Sequence, residues 1–348
     1  MLPESTFSLV ALPLAFVSAL LLTVGLTGLL RRYARRVNLF DVPNQRSSHQ
    51  VATPTGGGLS IVVVFLGAVI GFYFFGHLPT DVFSSLLVGG VLVAGIGFAD
   101  DRKQLPALWR FMTQILAATF AVAMLGGMPE VQLGDTFTDL GFAGDVMALV
   151  FTVWLINLYN FMDGIDGIAA VEAVCIAGSA LVISSVADSG FMTTLLVVFT
   201  ATAVGFLVLN WPPAKIFMGD VGSGFVGFVL AMFAVISSSL GILPIWCWLI
   251  LAGVFVVDAT ITLVTRVVNG EEWYSAHNSH AYQRAARRLK GHRPVTLAVL
   301  SINLLWLLPL AWFASARPEF GWWLTMVAWL PLISLSLLLR AGRPEADA

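Results

Sequence analysis

The chain has 348 residues, 58% of them hydrophobic and 11% charged, with a formal net charge of −2 and a mean hydropathy of +0.89. So apolar a composition excludes a water-soluble globular domain and requires an integral membrane protein. Cys175 and Cys247, the two cysteines, both sit inside apolar runs, which fits small buried hydrophobes rather than a disulfide framework or a thiolate metal site.

In chain order, windows of about twenty apolar residues predict eleven spans, near 7–30, 57–76, 82–99, 107–125, 144–160, 165–186, 191–209, 222–240, 242–265, 294–314 and 321–340. The first lacks the positive leader of a cleaved signal and is followed by Arg31, Arg32, Arg35 and Arg36, so it reads as a retained span. Loops alternate in sign. One set holds Arg31 to Arg46, Arg102 to Arg110, Lys215, Arg266 to Arg293, and Arg340 with Arg343. The other holds Glu130, Asp135, Asp139, Asp188 and Glu319, with Arg317 as its one cation. The positive-inside rule makes the first set cytoplasmic, with the amino terminus outside and the carboxyl terminus inside, as an odd number of spans requires. The expected fold is an all-α polytopic bundle of about eleven transmembrane helices, a single domain over residues 1–348.

Each polar cluster falls on a loop or span end of the cytoplasmic set. Pro43 to His49 and Thr53-Pro-Thr55-Gly-Gly-Gly58 follow the first span, the latter with backbone N–H groups suited to phosphate or to a plain connector. Asp100-Asp101-Arg102-Lys103 ends the third span, where paired carboxylates hold a divalent cation or simply make a solvated, ion-paired helix end. Asn157, Asn160, Asp163 and Asp166 stand at three-residue steps between two apolar runs. On a helix they form a polar wall over about half the circumference, in a setting where such groups are costly unless functional. Asn210 opens the next connection, which runs through Lys215 and Phe217 to Asp220-Val-Gly-Ser-Gly224, a helix start suited to an anion, a Mg²⁺ ligand or an ordinary N-cap. Asp258 lies within the ninth span, facing a polar cavity or an intramembrane partner. The last loop carries His277, His280, Arg284, Arg287, Arg288 and Lys290, a basic cluster suited to lipid headgroups or a pyrophosphate.

Four ordered motifs in this set resemble the polyprenyl-phosphate N-acetylhexosamine-1-phosphate transferases: Gly97-Phe-Ala-Asp100-Asp101, Asn157 to Gly167, Phe217-Met-Gly-Asp220-Val-Gly-Ser223, and the histidine-bearing last loop. The resemblance spans about residues 10–315. It implies that undecaprenyl phosphate attacks the β-phosphate of a UDP-N-acetylamino sugar, releasing UMP, with Mg²⁺ or Mn²⁺ as cofactor. Carried over by motif, it implies Asp220 as metal ligand and Asp100 and Asp101 as acceptor-phosphate or base residues. It further implies Asn160, Asp163 and Asp166 along the nucleotide-sugar site, with Asn157 and Thr55 beside it. Asn210 would stand near the uracil, Phe217 stack on it, and His277, His280 and Arg284 address the pyrophosphate or sugar.

Two departures narrow the branch. His277-Asn-Ser-His280 replaces the three consecutive histidines of the MurNAc-pentapeptide enzymes, and Gln104 stands where they have lysine. The pattern resembles the branch that begins O-antigen, although Thr55 and Asn278 stand where that branch often has arginine. The resemblance implies a bacterial cytoplasmic membrane, with the bilayer, the lipid acceptor, the UDP-sugar and, as a homodimer, a second copy as partners, and no nucleic acid. The competing class is a polytopic transporter, which would need polar access from both faces.

Overall fold

The computed structural model describes residues 11–43, 51–184, 190–271 and 278–343, and it is almost entirely helical. A helix that satisfies its own backbone is one of only two structures that cross a bilayer, so long apolar runs leave the chain little choice. Each of the eleven predicted stretches is occupied by helix: α1 Ala11–Arg36, α2 Leu59–Phe74, α3 Thr80–Lys103, α4 Ala107–Met124, α5 Gly141–Met162, α6 Ile168–Ser184, α7 Phe191–Asn210, α8 Asp220–Ser239, the pair α9 Ile245–Leu251 and α10 Gly253–Val268, then α12 His292–Ala316 and α13 Gly321–Leu338. A further short helix, α11 Ala281–Arg288, lies in the last loop.

The count of eleven spans is not reached by length. Eight described helices are long and apolar enough to cross, or nine if the pair α9 and α10, bent by 72°, is one broken span. Helices α2 and α6 have only 16 and 17 residues, or about 24–26 Å at 1.5 Å per residue against a hydrocarbon core of about 30 Å. The ninth predicted span, 242–265, is occupied by two helices bent by 72° at Ala252, next to the poor helix former Gly253, where a straight helix was expected.

Helix α8 is the axis of the bundle. Its apolar window is 94% buried, against 17% for α1 and 28% for α4, α12 and the span that includes α13. Lipid offers an apolar side chain the same environment as protein does, so close packing of small residues, not hydrophobicity, brings such helices together. A Cβ on Gly97 of α3 would stand 2.5 Å from the Asp220 carbonyl, and one on Gly58 would stand 2.4 Å from the Gly222 Cα. These two glycines let α3 and the start of α2 press against the first turn of α8. Deeper in, Phe65, Phe199, Phe225 and Phe233 pack edge to face with centroids 5.4–6.1 Å apart. Exposed leucines on α1 and α13, among them Leu14, Leu21, Leu22 and Leu338, present the apolar surface that a bilayer requires.

Two small antiparallel pairs interrupt the helices. Phe40–Asp41 (β1) pairs with Thr53–Pro54 (β2), and Val131–Leu133 (β3) pairs with Thr136–Thr138 (β4). The first pair extends into a ladder with the connection before α8: the Phe217 N–H donates to the Pro54 carbonyl at 2.8 Å, and Gly57 and Gly58 donate back to Phe217 and Met218. Loops far apart in sequence are thereby fixed at one end of the bundle.

Candidate active site

That end holds a polar cavity of about 490 Å³. It is lined from α3 by Asp100 and Asp101, from α5 and its following turn by Asn160, Asp163 and Asp166, and from α8 by Asp220 and Ser223. Asp41, Thr55, Asn210, Phe217, Gln283 and His292 are also among the lining residues.

Asp220 is the first residue of α8, and its seat is made by other residues. Its Oδ1 accepts from the Asn160 carboxamide at 2.7 Å, and its Oδ2 lies 3.6 Å from the Arg110 guanidinium. Asp101 takes the backbone N–H groups of Asp220 and Val221, which have no partner within the helix. Asp100 accepts from the Leu105 N–H and, at 2.7 Å, from Arg110. The adjacent aspartates thus have different tasks: one caps a helix across the bundle, and the other aims an arginine.

Asp163 follows the last turn of α5 and makes no side-chain hydrogen bond among the described residues. Loss of water to the surrounding protein, and then the charges of Asp220, Asp101 and Asp166, hold its carboxyl well above the usual carboxylate range. Asp166 is tied down. Its Oδ2 accepts the Ala214 N–H at 3.0 Å, its Oδ1 lies 3.2 Å from His292 Nδ1, and its carbonyl accepts the Thr296 hydroxyl at 2.9 Å. Asn210 is 2% exposed and engages both ends of its carboxamide, accepting from the Gly167 N–H and donating to the Ile216 carbonyl. It braces two loops at the cavity edge.

Three expected substrate residues stand outside the cavity lining. Asn157 donates to Gln114 at 2.7 Å and lines a neighbouring groove. His280 is buried against Asp258, whose carboxylate also accepts the Ala281 and Tyr282 N–H groups at 2.9 Å each. The intramembrane Asp258 is therefore a remote cap for α11, and His280 belongs to that cap rather than to the cavity. Arg284 donates to the Arg343 carbonyl, which turns it toward the carboxyl-terminal segment. His277 lies outside the described residues, as do 44–50.

The sequence reading passed over Arg110, Gln283 and His292. Arg110 and His292 stand in the first turns of helices that follow Pro106 and Gly291, breaks visible in the sequence. Gln283 is visible only through the fold: it shares α11 with Tyr282, whose hydroxyl donates to the Phe161 carbonyl beside the cavity.

The groove next to the cavity is apolar, about 340 Å³, and lined by Val93, Ile96, Leu108, Phe111 and Ile156. Cavity and groove share Asn160 and Asp220. A polar chamber thus meets an apolar slot at one carboxylate.

Comparison with known proteins agrees with this geometry. Residues 83–238 match the model of glycosyl transferase family 4. A decaprenyl-phosphate N-acetylglucosaminephosphotransferase of Mycobacterium leprae is 31% identical over 335 residues, covering 83% of this chain and 80% of the relative. The chain belongs to glycosyl transferase family 4. This family 4 chain is also 28% identical to a Bacillus subtilis protein named "Probable undecaprenyl-phosphate N-acetylglucosaminyl 1-phosphate transferase", over 85% of its own length and 83% of the relative. It is 28% identical to a phospho-N-acetylmuramoyl-pentapeptide-transferase of Kocuria rhizophila, over 73% of its own length and 80% of the relative. The family 4 match contains Asp100, Asp101, Asn160, Asp163, Asp166, Asn210, Phe217 and Asp220, while Gln283 and His292 lie beyond it.

Proposed function

We infer that this family 4 transferase moves an N-acetylamino-sugar 1-phosphate from a UDP-sugar to undecaprenyl phosphate, releasing UMP and starting a lipid-linked surface polysaccharide such as O-antigen. The observation that carries this is the junction of a polar cavity with an apolar groove at Asn160 and Asp220. A water-soluble nucleotide sugar suits the first and a polyprenyl chain the second. Their phosphates would meet where the two volumes join. The relatives named for N-acetylglucosamine make UDP-N-acetylglucosamine the first donor to test.

In the reaction an oxygen of the lipid phosphate attacks the β-phosphorus of the donor, and the bond from that phosphorus to the oxygen of UMP breaks. Little covalent work falls to the protein, which positions the two phosphates and balances their charge. Arg110, aimed by Asp100, stands at the junction where the lipid phosphate would arrive. Phe217 offers the cavity an aromatic face for the base.

The residues fit a divalent cation. Asp163 and Asp220 are oxygen donors in an acidic wall, and Asp163 lacks any other side-chain partner among the described residues. Mg²⁺ takes one or two carboxylates and completes its shell with water and phosphate, a demand these two aspartates can meet. Asp220 would hold it, and when bound it would offset the charge growing on the leaving phosphate.

The basic loops support a cytoplasmic site, with the amino terminus outside and the carboxyl terminus inside. The test is UMP release by the purified protein from a panel of UDP-N-acetylamino sugars, with and without undecaprenyl phosphate. Release that depends on the lipid, on Mg²⁺ or Mn²⁺, and falls by orders of magnitude in Asp220→Asn is the expected result. Equal release without the lipid would defeat the reading.

A further inference from the structure

Among the described residues lining the polar cavity are six aspartates, Asp41, Asp100, Asp101, Asp163, Asp166 and Asp220, and one basic side chain, His292. Arg110 lines the neighbouring groove, with its guanidinium engaged on Asp100. A donor carrying a diphosphate brings further negative charge to this wall. One divalent ion covers part of it, and a hydrogen-bond donor at the wall would meet more of it.

His292 is built for that position. It begins α12 directly after Gly291, so its place follows from the helix start rather than from a long loop. Its ring is 16% exposed on the cavity wall, and Nδ1 is turned toward Asp166, accepting the Asp166 backbone N–H at 3.3 Å with Oδ1 3.2 Å away. The Asp166 carboxylate is held by the Ala214 N–H, and its backbone carbonyl accepts the hydroxyl of Thr296, one turn along α12 from His292, so residue and ring are tied together. A residue that fixes one ring nitrogen of an imidazole sets the direction of the other, a recurrent arrangement where histidine meets a ligand. The histidine expected here from sequence, His280, is only 2% exposed and is engaged on Asp258.

We propose that His292 is a donor-binding residue that meets the phosphate groups of the nucleotide sugar, and that Asp166 is its positioning residue. The proposal rests on the transferase reading above. It assigns Asp166 to the histidine rather than to direct contact with the sugar.

The test uses the full-length protein in detergent with Mg²⁺, measuring calorimetric binding of UDP and the separate KM values for UDP-N-acetylglucosamine and undecaprenyl phosphate. His292→Gln is expected to weaken UDP binding and raise the UDP-sugar KM by about tenfold to hundredfold, the range for losing one charge-assisted hydrogen bond, with the undecaprenyl phosphate KM unchanged. His292→Lys, which places a cationic donor at the wall, is expected to bind UDP more tightly than His292→Gln. UDP affinity in His292→Gln equal to wild type would overturn the proposal and leave the transferase reading standing. Parallel rises in both KM values would overturn it as well, because a structural defect does not choose between substrates. Should His292→Gln fail to fold, His292→Ala takes its place: UDP affinity at least tenfold weaker than wild type supports the proposal, and a smaller loss overturns it. Wild-type protein that neither binds UDP nor turns over any UDP-sugar would remove the transferase reading itself.

Discussion

The carboxylate of Asp101 receives the backbone N–H groups of both Asp220, at 2.8 Å, and Val221, at 3.2 Å. One aspartate of the site therefore builds the seat of another. Asp101→Ala leaves two N–H groups of α8 without their acceptor, and loss of such a cap costs about 1–2 kcal/mol. The expected outcome is a lower unfolding temperature together with at least about a tenfold loss of UMP release. Asp101→Asn, with one acceptor oxygen remaining, is expected to fall between wild type and alanine in both thermal unfolding and turnover.

Asp100 has both oxygens engaged, one on Leu105 and one on Arg110. The geometry supports a positioning role over the base role expected from the motif. A lipid phosphate monoester with a second pKa near 6 is largely dianionic at neutral pH and needs no base. Asp100→Asn is expected to lower turnover by a similar factor across about pH 5.5–9. A loss confined to the acid side of that range, recovered at high pH, would restore the base role.

Asp163 ties stability to pH. Its folded pKa lies above the unfolded value of about 3.9, so the folded protein keeps a proton that the unfolded chain has released. The stability it contributes is whole below about pH 4 and is lost as pH rises toward the folded pKa. Without added metal, the unfolding temperature of wild type is expected to fall more steeply above pH 4 than that of Asp163→Asn, which has no proton to lose. Added Mg²⁺ is expected to raise stability at neutral pH in wild type and to do so less in Asp163→Asn. Identical pH slopes for the two proteins would count against the assignment.

Asp258 and His280 predict a different outcome from His292. Asp258→Ala leaves the His280 ring and two N–H groups of α11 without their buried acceptor, at a cost of about 3 kcal/mol or more. Both Asp258→Ala and His280→Ala are expected to unfold at lower temperature and to lose activity in step with the loss of folded protein. Scanning calorimetry beside UDP titration separates this from a binding defect. Normal stability with weakened UDP binding in His280→Ala would return that histidine to the cavity.

Orientation is tested with single cysteines. Asp135, in the β3–β4 turn, and Arg288, at the end of α11, are both exposed, while native Cys175 and Cys247 are buried and give little background. Asp135→Cys is expected to react with an impermeant thiol reagent in intact cells, and Arg288→Cys only after the membrane is opened. Labelling of Arg288→Cys from outside would separate the site from cytosolic nucleotide.

The membrane class and the helical fold follow from the length and order of the apolar runs, because a run of about twenty apolar residues satisfies its backbone in a bilayer as a helix, while the number of helices long enough to cross did not follow. The grouping of Asp100, Asp101, Asn160, Asp163, Asp166 and Asp220 at one end was also legible: charged residues cluster at span ends, and the spans alternate in direction. What each group does was decided by tertiary structure. Asp100 and Asp101 are neighbours in the chain, yet a helix turns adjacent side chains by about 100°, so one meets Arg110 and the other the first turn of α8. His280 and His292 are twelve residues apart and equally polar in sequence. Only the position of Asp258 within α10 decides that the first is drawn into a buried cap. Only the start of α12 beside Asp166 decides that the second reaches the cavity, since a contact between distant segments leaves no local pattern in either one.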